Sequence, residues 1–264
     1  MNTLGFIGTG NMGGALARAA AKNADNRLLL ANRHPEKAGQ LALEIGGEAT
    51  DNASAAAAAD FLFLGVKPHM LPEMLESIRE TLKARSTPFT LVSMAAGTPI
   101  ERIGSLLGGE YPVIRIMPNT PAAIGEGMIL YSCSASVTEE REQAFLSAMK
   151  YAGRFARLEE RLIDAGSAVS GCGPAFVAMF LEALADGGVA CGLPRTLAME
   201  CAAQTVVGTG KLLQETALHP GAMKDAVCSP GGTTIQGVRT LEDHGFRGAV
   251  IEAVIAAYEK TLKL

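Results

Sequence analysis

The chain has 264 residues, 48% of them hydrophobic and 19% charged, which suits one large domain or two modest ones. A net charge of −4, with the basic residues scattered, gives no basic stripe for a phosphate backbone, so no nucleic-acid partner is expected. Five widely spaced cysteines without a CxxC pair and four distant histidines argue against a disulfide framework or a metal site and for reduced thiols in a cytoplasmic protein.

An apolar strand at Leu4–Ile7 opens the chain with no charged leader before it, so no signal peptide is expected. Gly, Asp or Lys interrupt each apolar stretch well short of ~20 residues, so no membrane span is expected. Up to about residue 158, short apolar strands alternate with helices. Strands are predicted at Thr3–Gly8, Arg27–Ala31, Phe61–Val66, Phe89–Ala95, Val113–Met117, Gly127–Ser132 and Arg154–Leu158. Helices are predicted at Asn11–Ala21, Pro35–Glu44, Ala53–Ala59, Met70–Lys83, Pro99–Leu107 and Glu139–Tyr151. The alternation calls for an α/β fold: a doubly wound, mainly parallel Rossmann-type sheet with helices on both faces.

Beyond Glu159 the strand signal stops, and helices punctuated by Gly and Pro continue to Leu264. The domains are therefore set at 1–158 and 159–264. Several C-terminal helices, such as Ala175–Leu184 and Ala249–Ala257, are apolar on more than one face. Helices of that kind need burial on all sides, which ~100 residues cannot easily supply. A second copy of the chain is the expected cover, with the N-terminal domain as the other candidate.

Gly8-Thr9-Gly10-Asn11-Met12-Gly13 follows the first strand and opens a helix. Gly8 permits the tight turn, Gly10 lets a pyrophosphate approach the backbone, and Gly13 lets helix and strand pack closely. The strand before and the helix after turn a weak pattern into a specific dinucleotide signal. Where an NAD binder carries an acid after the second strand, this chain has Asn32 and Arg33. An arginine fork suits a 2′-phosphate, so NADPH is expected over NADH; an ordinary loop arginine is the plainer reading. Val66-Lys67-Pro68, Met94-Ala95-Ala96 and the loop after Met117 end their strands at the sheet edge where such ligands bind. For each residue there, a purely structural role is an equal reading.

Ser229-Pro230-Gly231-Gly232-Thr233-Thr234 precedes an amphipathic helix at Ile235–Leu241. Three hydroxyls, two glycines and a helix N-terminus make an anion pocket suited to a carboxylate. A simple cap needs one hydroxyl, which favours a ligand over a turn. The second domain has no lysine between Leu162 and Ala203. That counts against a relative of the β-hydroxyacid dehydrogenases, which would need one there. A reductase of another small cyclic imine, or a dinucleotide sensor without turnover, stays open.

The segment Val227-Cys228-Ser229-Pro230-Gly231-Gly232-Thr233-Thr234-Ile235 resembles the signature of pyrroline-5-carboxylate reductases. So do, in order, GFIGTGNMG at Gly5–Gly13, VKPH at Val66–His69, MAAGT at Met94–Thr98, RIMPNTP at Arg115–Pro121, SGCGPAF at Ser170–Phe176 and ALADGGVACGLPR at Ala183–Arg195. Cys172 stands where many relatives have serine. The resemblance implies an NADPH-binding Rossmann domain, a helical domain that interlocks with a partner's into a homodimer or a larger assembly of dimers, and reduction of L-1-pyrroline-5-carboxylate to L-proline in proline biosynthesis. Carried over, the cofactor loop is Phe6, Ile7, Gly8, Thr9, Gly10 and Asn11, running on into Met12 and Gly13. Asn32 and Arg33 fall at the adenosine phosphate, and Asn52 near the adenosine ribose. Val66, Lys67, Pro68, Met94, Ala95 and Ala96 fall along the nicotinamide half. Ser229, Gly232, Thr233 and Thr234 form the substrate loop, with Thr234 the catalytic candidate facing the imine nitrogen.

Overall fold

The computed structural model describes residues 1–263. Strands β1 (Asn2–Ile7), β2 (Asn26–Ala31), β3 (Glu48–Ala49), β4 (Phe61–Leu64), β5 (Thr90–Ser93), β6 (Val113–Met117), β7 (Gly127–Cys133) and β8 (Gly153–Arg157) form one sheet in the order β3-β2-β1-β4-β5-β6-β7-β8. Every pairing is parallel except β6 with β7. Helices α1 (Asn11–Ala21), α2 (Pro35–Ile45), α3 (Asn52–Ala58), α4 (Leu71–Lys83), α5 (Ile100–Leu107) and α6 (Glu139–Ala148) fill the crossovers. The predicted strands and helices are present, most with ends within two residues. The exception is the helix after Thr138, which stops at Ala148 rather than Tyr151. The two-residue strand β3 and the 3₁₀ turns lay below what apolar patterning detects.

Residues Phe61–Leu64 are apolar without a break because β4 is covered on both faces. Alternation sends Phe61 and Phe63 into one cluster with α1 and α6 residues, and Leu62 and Leu64 into the other with α3 and α4 residues. Phe6 of β1 stacks on Phe63 with ring centroids 4.3 Å apart. The strand order reverses between β1 and β4, so the crevice for a ligand opens at their C-terminal ends.

A 3₁₀ turn at Glu160–Leu162 leads into α7 (Ile163–Ser170), which packs on β7. Arg115 of β6, only 2% exposed, pins the start of this segment. Its Nη2 donates to Asp164 Oδ1 at 2.6 Å and its Nη1 to Glu160 Oε1 at 3.4 Å, while Glu160 Oε1 also accepts the Ile100 N–H at 2.7 Å. Asn119 holds the other end, donating to the Ser170 carbonyl at 3.0 Å. The chain divides into two compact units between Cys172 and Gly173, the first unit also taking the final turns from Ala257. Helix α7 thus belongs with the sheet although it follows Glu159.

The second unit holds α8 (Gly173–Ala190), α9 (Arg195–Thr216), α10 (Pro220–Ala226), α11 (Thr233–Asp243) and most of α12 (Phe246–Thr261). Helices α8 and α9 meet through Ala185, Ala198 and Ala202, small side chains that let the backbones approach. Few other residues are covered: Met179 is 69% exposed, Val227 66% and Ile251 57%. By length and composition alone, the helical run Glu160–Ala190, made of the 3₁₀ turn, α7 and α8, is long and apolar enough to cross a membrane.

Candidate active site

The turn from β1 into α1 is built on two close approaches. Gly8 has φ +98°, and a Cβ there would lie 2.5 Å from the Gly65 carbonyl oxygen at the end of β4. A Cβ on Gly13 would lie 2.0 Å from the Gly8 carbonyl oxygen. Only glycine fits either position. Gly10 differs: its φ is −71°, which any residue adopts, and a Cβ on it would meet no protein atom within 4 Å. Gly10 lines the open cleft, so a need for glycine at this position comes from what fills the cleft. Helix α1 starts there without a side-chain cap, leaving its first N–H groups for an anion.

A cleft of about 1390 Å³ opens at this turn. It brings together Ile7, Gly8, Gly10, Asn32, Arg33, Asn52, Val66 and Lys67 of the predicted cofactor residues. The others sit around it. Phe6 and Gly13 are buried beneath the loop, while Asn11 and Met12 occupy the first turn of α1. Thr9 accepts a 2.8 Å hydrogen bond from the Asn32 side chain. Pro68 opens a 3₁₀ turn after β4. Met94, Ala95 and Ala96 follow β5 and do not line the cleft; the Ala95 side chain is in the core.

The side-chain amide of Asn32 is used at both ends. Its Nδ2 donates to Thr9, and its Oδ1 accepts the His34 N–H at 3.0 Å. It therefore ties the loop after β2 to the glycine loop. Asp51 caps α3, accepting from the Ser54 N–H at 2.7 Å and the Ser54 hydroxyl at 3.0 Å. The Ser54 backbone bond, helped by that hydroxyl, holds the Asp51 carboxyl below its usual range. No acid stands at the end of β2, and Arg33 is exposed to the cleft. Those features fit a 2′-phosphorylated dinucleotide. His34, Lys37, Thr50, His69, Met70 and Glu73 also line the cleft, and reading strand ends alone missed them. The four-residue spacing of His69, in the turn before α4, and Glu73, in its first turn, was the available signal.

In the second unit, α11 begins at Thr233, two residues earlier than its apolar pattern indicated, so Thr233 and Thr234 lie in its first turn. Its N-cap is Gly232, and no side chain caps it. The Gly232 N–H donates to the Ser229 carbonyl at 3.0 Å, closing the Ser-Pro-Gly-Gly turn. A Cβ on Gly232 would strike the Ser229 hydroxyl oxygen at 2.2 Å, so glycine keeps that hydroxyl in place. Ser229, Thr233 and Thr234 are exposed, with their hydroxyls left over from capping.

Residues 160–264 match a family model described as pyrroline-5-carboxylate reductase dimerisation, and residues 3–97 match one described as NADP oxidoreductase coenzyme F420-dependent. The pyrroline-5-carboxylate reductase of Escherichia coli K12 is 41% identical over 99% of this chain and 97% of its own length. The chain belongs to the pyrroline-5-carboxylate reductase family. Solved structures of this family agree with the fold. The pyrroline carboxylate reductase of Plasmodium falciparum, crystallised with NADP bound, gives a TM-score of 0.89 at 30% identity, covering 99% of this chain and 97% of that one. The pyrroline-5-carboxylate reductase of Coxiella burnetii gives 0.90 at 30% identity, covering 99% and 98%.

Proposed function

We propose that this chain reduces L-1-pyrroline-5-carboxylate to L-proline with NADPH, the closing step of proline biosynthesis. Membership of the family along the whole chain, at 41% identity to the Escherichia coli enzyme, carries the reading. The glycine loop, the absence of an acid after β2 and the spare hydroxyls at α11 support it.

When bound, NADPH supplies the hydride. The loop Phe6–Gly13 holds the pyrophosphate through Gly10 and the α1 N-terminus, Arg33 takes the 2′-phosphate, and Asn52 takes the adenosine ribose. Val66, Lys67 and Pro68, with the loop of Met94, Ala95 and Ala96, flank the nicotinamide half. Backbone N–H groups and hydroxyls of Ser229, Gly232, Thr233 and Thr234 hold the substrate carboxylate, and the Thr234 hydroxyl meets the ring nitrogen. A cyclic imine is substantially protonated near neutral pH, so its carbon is already electrophilic. The residues need to orient it rather than protonate it, and orientation can supply up to ~7–11 kcal/mol in favourable cases. That explains a site with hydroxyls and no acid–base dyad.

The functional domains run from 1 to 158 and from 159 to 264, and the working form is a cytoplasmic homodimer. The exposed Met179, Val227 and Ile251 support the dimer, because a second copy would cover the apolar faces that α8–α12 leave open. The same cover, rather than lipid, accounts for the apolar run at Glu160–Ala190. Following NADPH absorbance with and without pyrroline-5-carboxylate tests the activity. Substrate-independent oxidation, or none, would defeat it. Sedimentation at micromolar concentration tests the dimer, and a monomer would defeat that part.

A further inference from the structure

Lys37 lines the cleft together with Arg33 and His34, and its backbone N–H donates to the His34 carbonyl at 3.0 Å. It lies in the first turn of α2, where a cation opposes the positive end of the helix dipole. A lysine there works against local helix stability. Neither Lys37 nor Arg33 has a carboxylate within ion-pair distance among the described residues, whereas Arg18 and Arg27 each pair with a glutamate. Glu36, the neighbouring acid, lies 3.7 Å from His34 instead. The remaining titratable groups on the cleft are Lys67, His69, Asp51 and Glu73, and Asp51 is committed to Ser54. The loop that carries Arg33 and leads into α2 is held by Asn32, whose amide is spent on Thr9 and His34. A local cost without a local partner marks a residue kept for a ligand.

We propose that Lys37 is a specificity-determining residue that grips the cofactor's 2′-phosphate together with Arg33. Arg33 supplies a planar fork and Lys37 a point charge, so the phosphate meets two cations in one cleft. The inference rests on the NADPH reading only for the identity of the cofactor.

The test measures binding, without substrate or turnover. Calorimetry gives the affinities of 2′,5′-ADP and 5′-AMP for the full-length protein, which differ only in the 2′-phosphate, with inorganic phosphate as a competitor. The parent should prefer 2′,5′-ADP. Lys37→Met should shrink that preference by ~3–10-fold, modest because the charges are solvent-exposed, and Lys37→Arg should retain it. Inorganic phosphate should compete in the parent more strongly than in Lys37→Met. A preference in Lys37→Met within twofold of the parent would overturn the proposal. So would a Lys37→Arg variant that loses as much as Lys37→Met. Failure to turn over pyrroline-5-carboxylate would sink the proposed reaction and leave this binding result standing.

Discussion

Exchanging two glycines of one loop for alanine separates what the fold needs from what the ligand needs. A Cβ on Gly13 lies 2.0 Å from the Gly8 carbonyl oxygen. Backbone has to move, and such overpacking costs ~1–3 kcal/mol. At ~2–4 °C per kcal/mol for a chain of this size, Gly13→Ala should lower Tm by roughly 2–12 °C. At Gly10 a Cβ meets nothing within 4 Å, and φ is −71°. Alanine there gains ~0.4–1 kcal/mol by restricting the unfolded chain. It loses a similar amount as a poorer N-cap than glycine. The two nearly cancel, so stability should stay within about 0.5 kcal/mol of the parent. NADPH affinity should nevertheless fall at least ~10-fold, or about 1.4 kcal/mol, because the methyl occupies the approach of the pyrophosphate. Thermal unfolding of the unliganded protein and a fluorescence titration with NADPH measure both. The reasoning fails if Gly10→Ala binds NADPH within twofold of the parent, or if it loses as much Tm as Gly13→Ala.

Three further outcomes are expected. Thr234→Ala should lower kcat/KM by ~10–1000-fold, about 1.4–4 kcal/mol; an unchanged value removes Thr234 from the site. Asp164→Ala takes one carboxylate from Arg115, whose side chain is 3% exposed. With Glu160 still in place the cost should be ~1–3 kcal/mol, read as a lower urea midpoint, and an unchanged midpoint contradicts the clamp. Burial, helped by the charge of Glu142, pushes the Cys133 thiol up from 9.0 to about 11. At pH 8 that leaves ~100-fold less thiolate than in the unfolded chain, so alkylation of Cys133 should be slower by about that factor. The raised value also means stability is fully present below pH 9 and declines as pH rises towards 11. Equal labelling of native and urea-unfolded protein would refute the shift.

The strand and helix periods, the glycine loop and the Ser229–Thr234 segment were all legible in the sequence. Each is written in neighbouring residues: alternation in β4, Pro35 at the start of α2, and GxGxxG between a strand and a helix. The missing acid after β2 could be read in the same way. Other features depend on residues far apart in the chain. The cleft gathers Arg33, Asn52 and Lys67 from three separate parts of the chain. The Arg115 clamp joins β6 to acids 45 and 49 residues later. The commitment of Asn32 to Thr9 spans 23 residues. The compact division at Cys172 rather than Glu159 follows from the same cause, since a buried cation draws the helix after the last strand back onto the sheet. Local pattern determined which elements form and which chemistry they offer. Only the tertiary structure decided which side chains meet, because burial and pairing depend on distance in space and not along the chain.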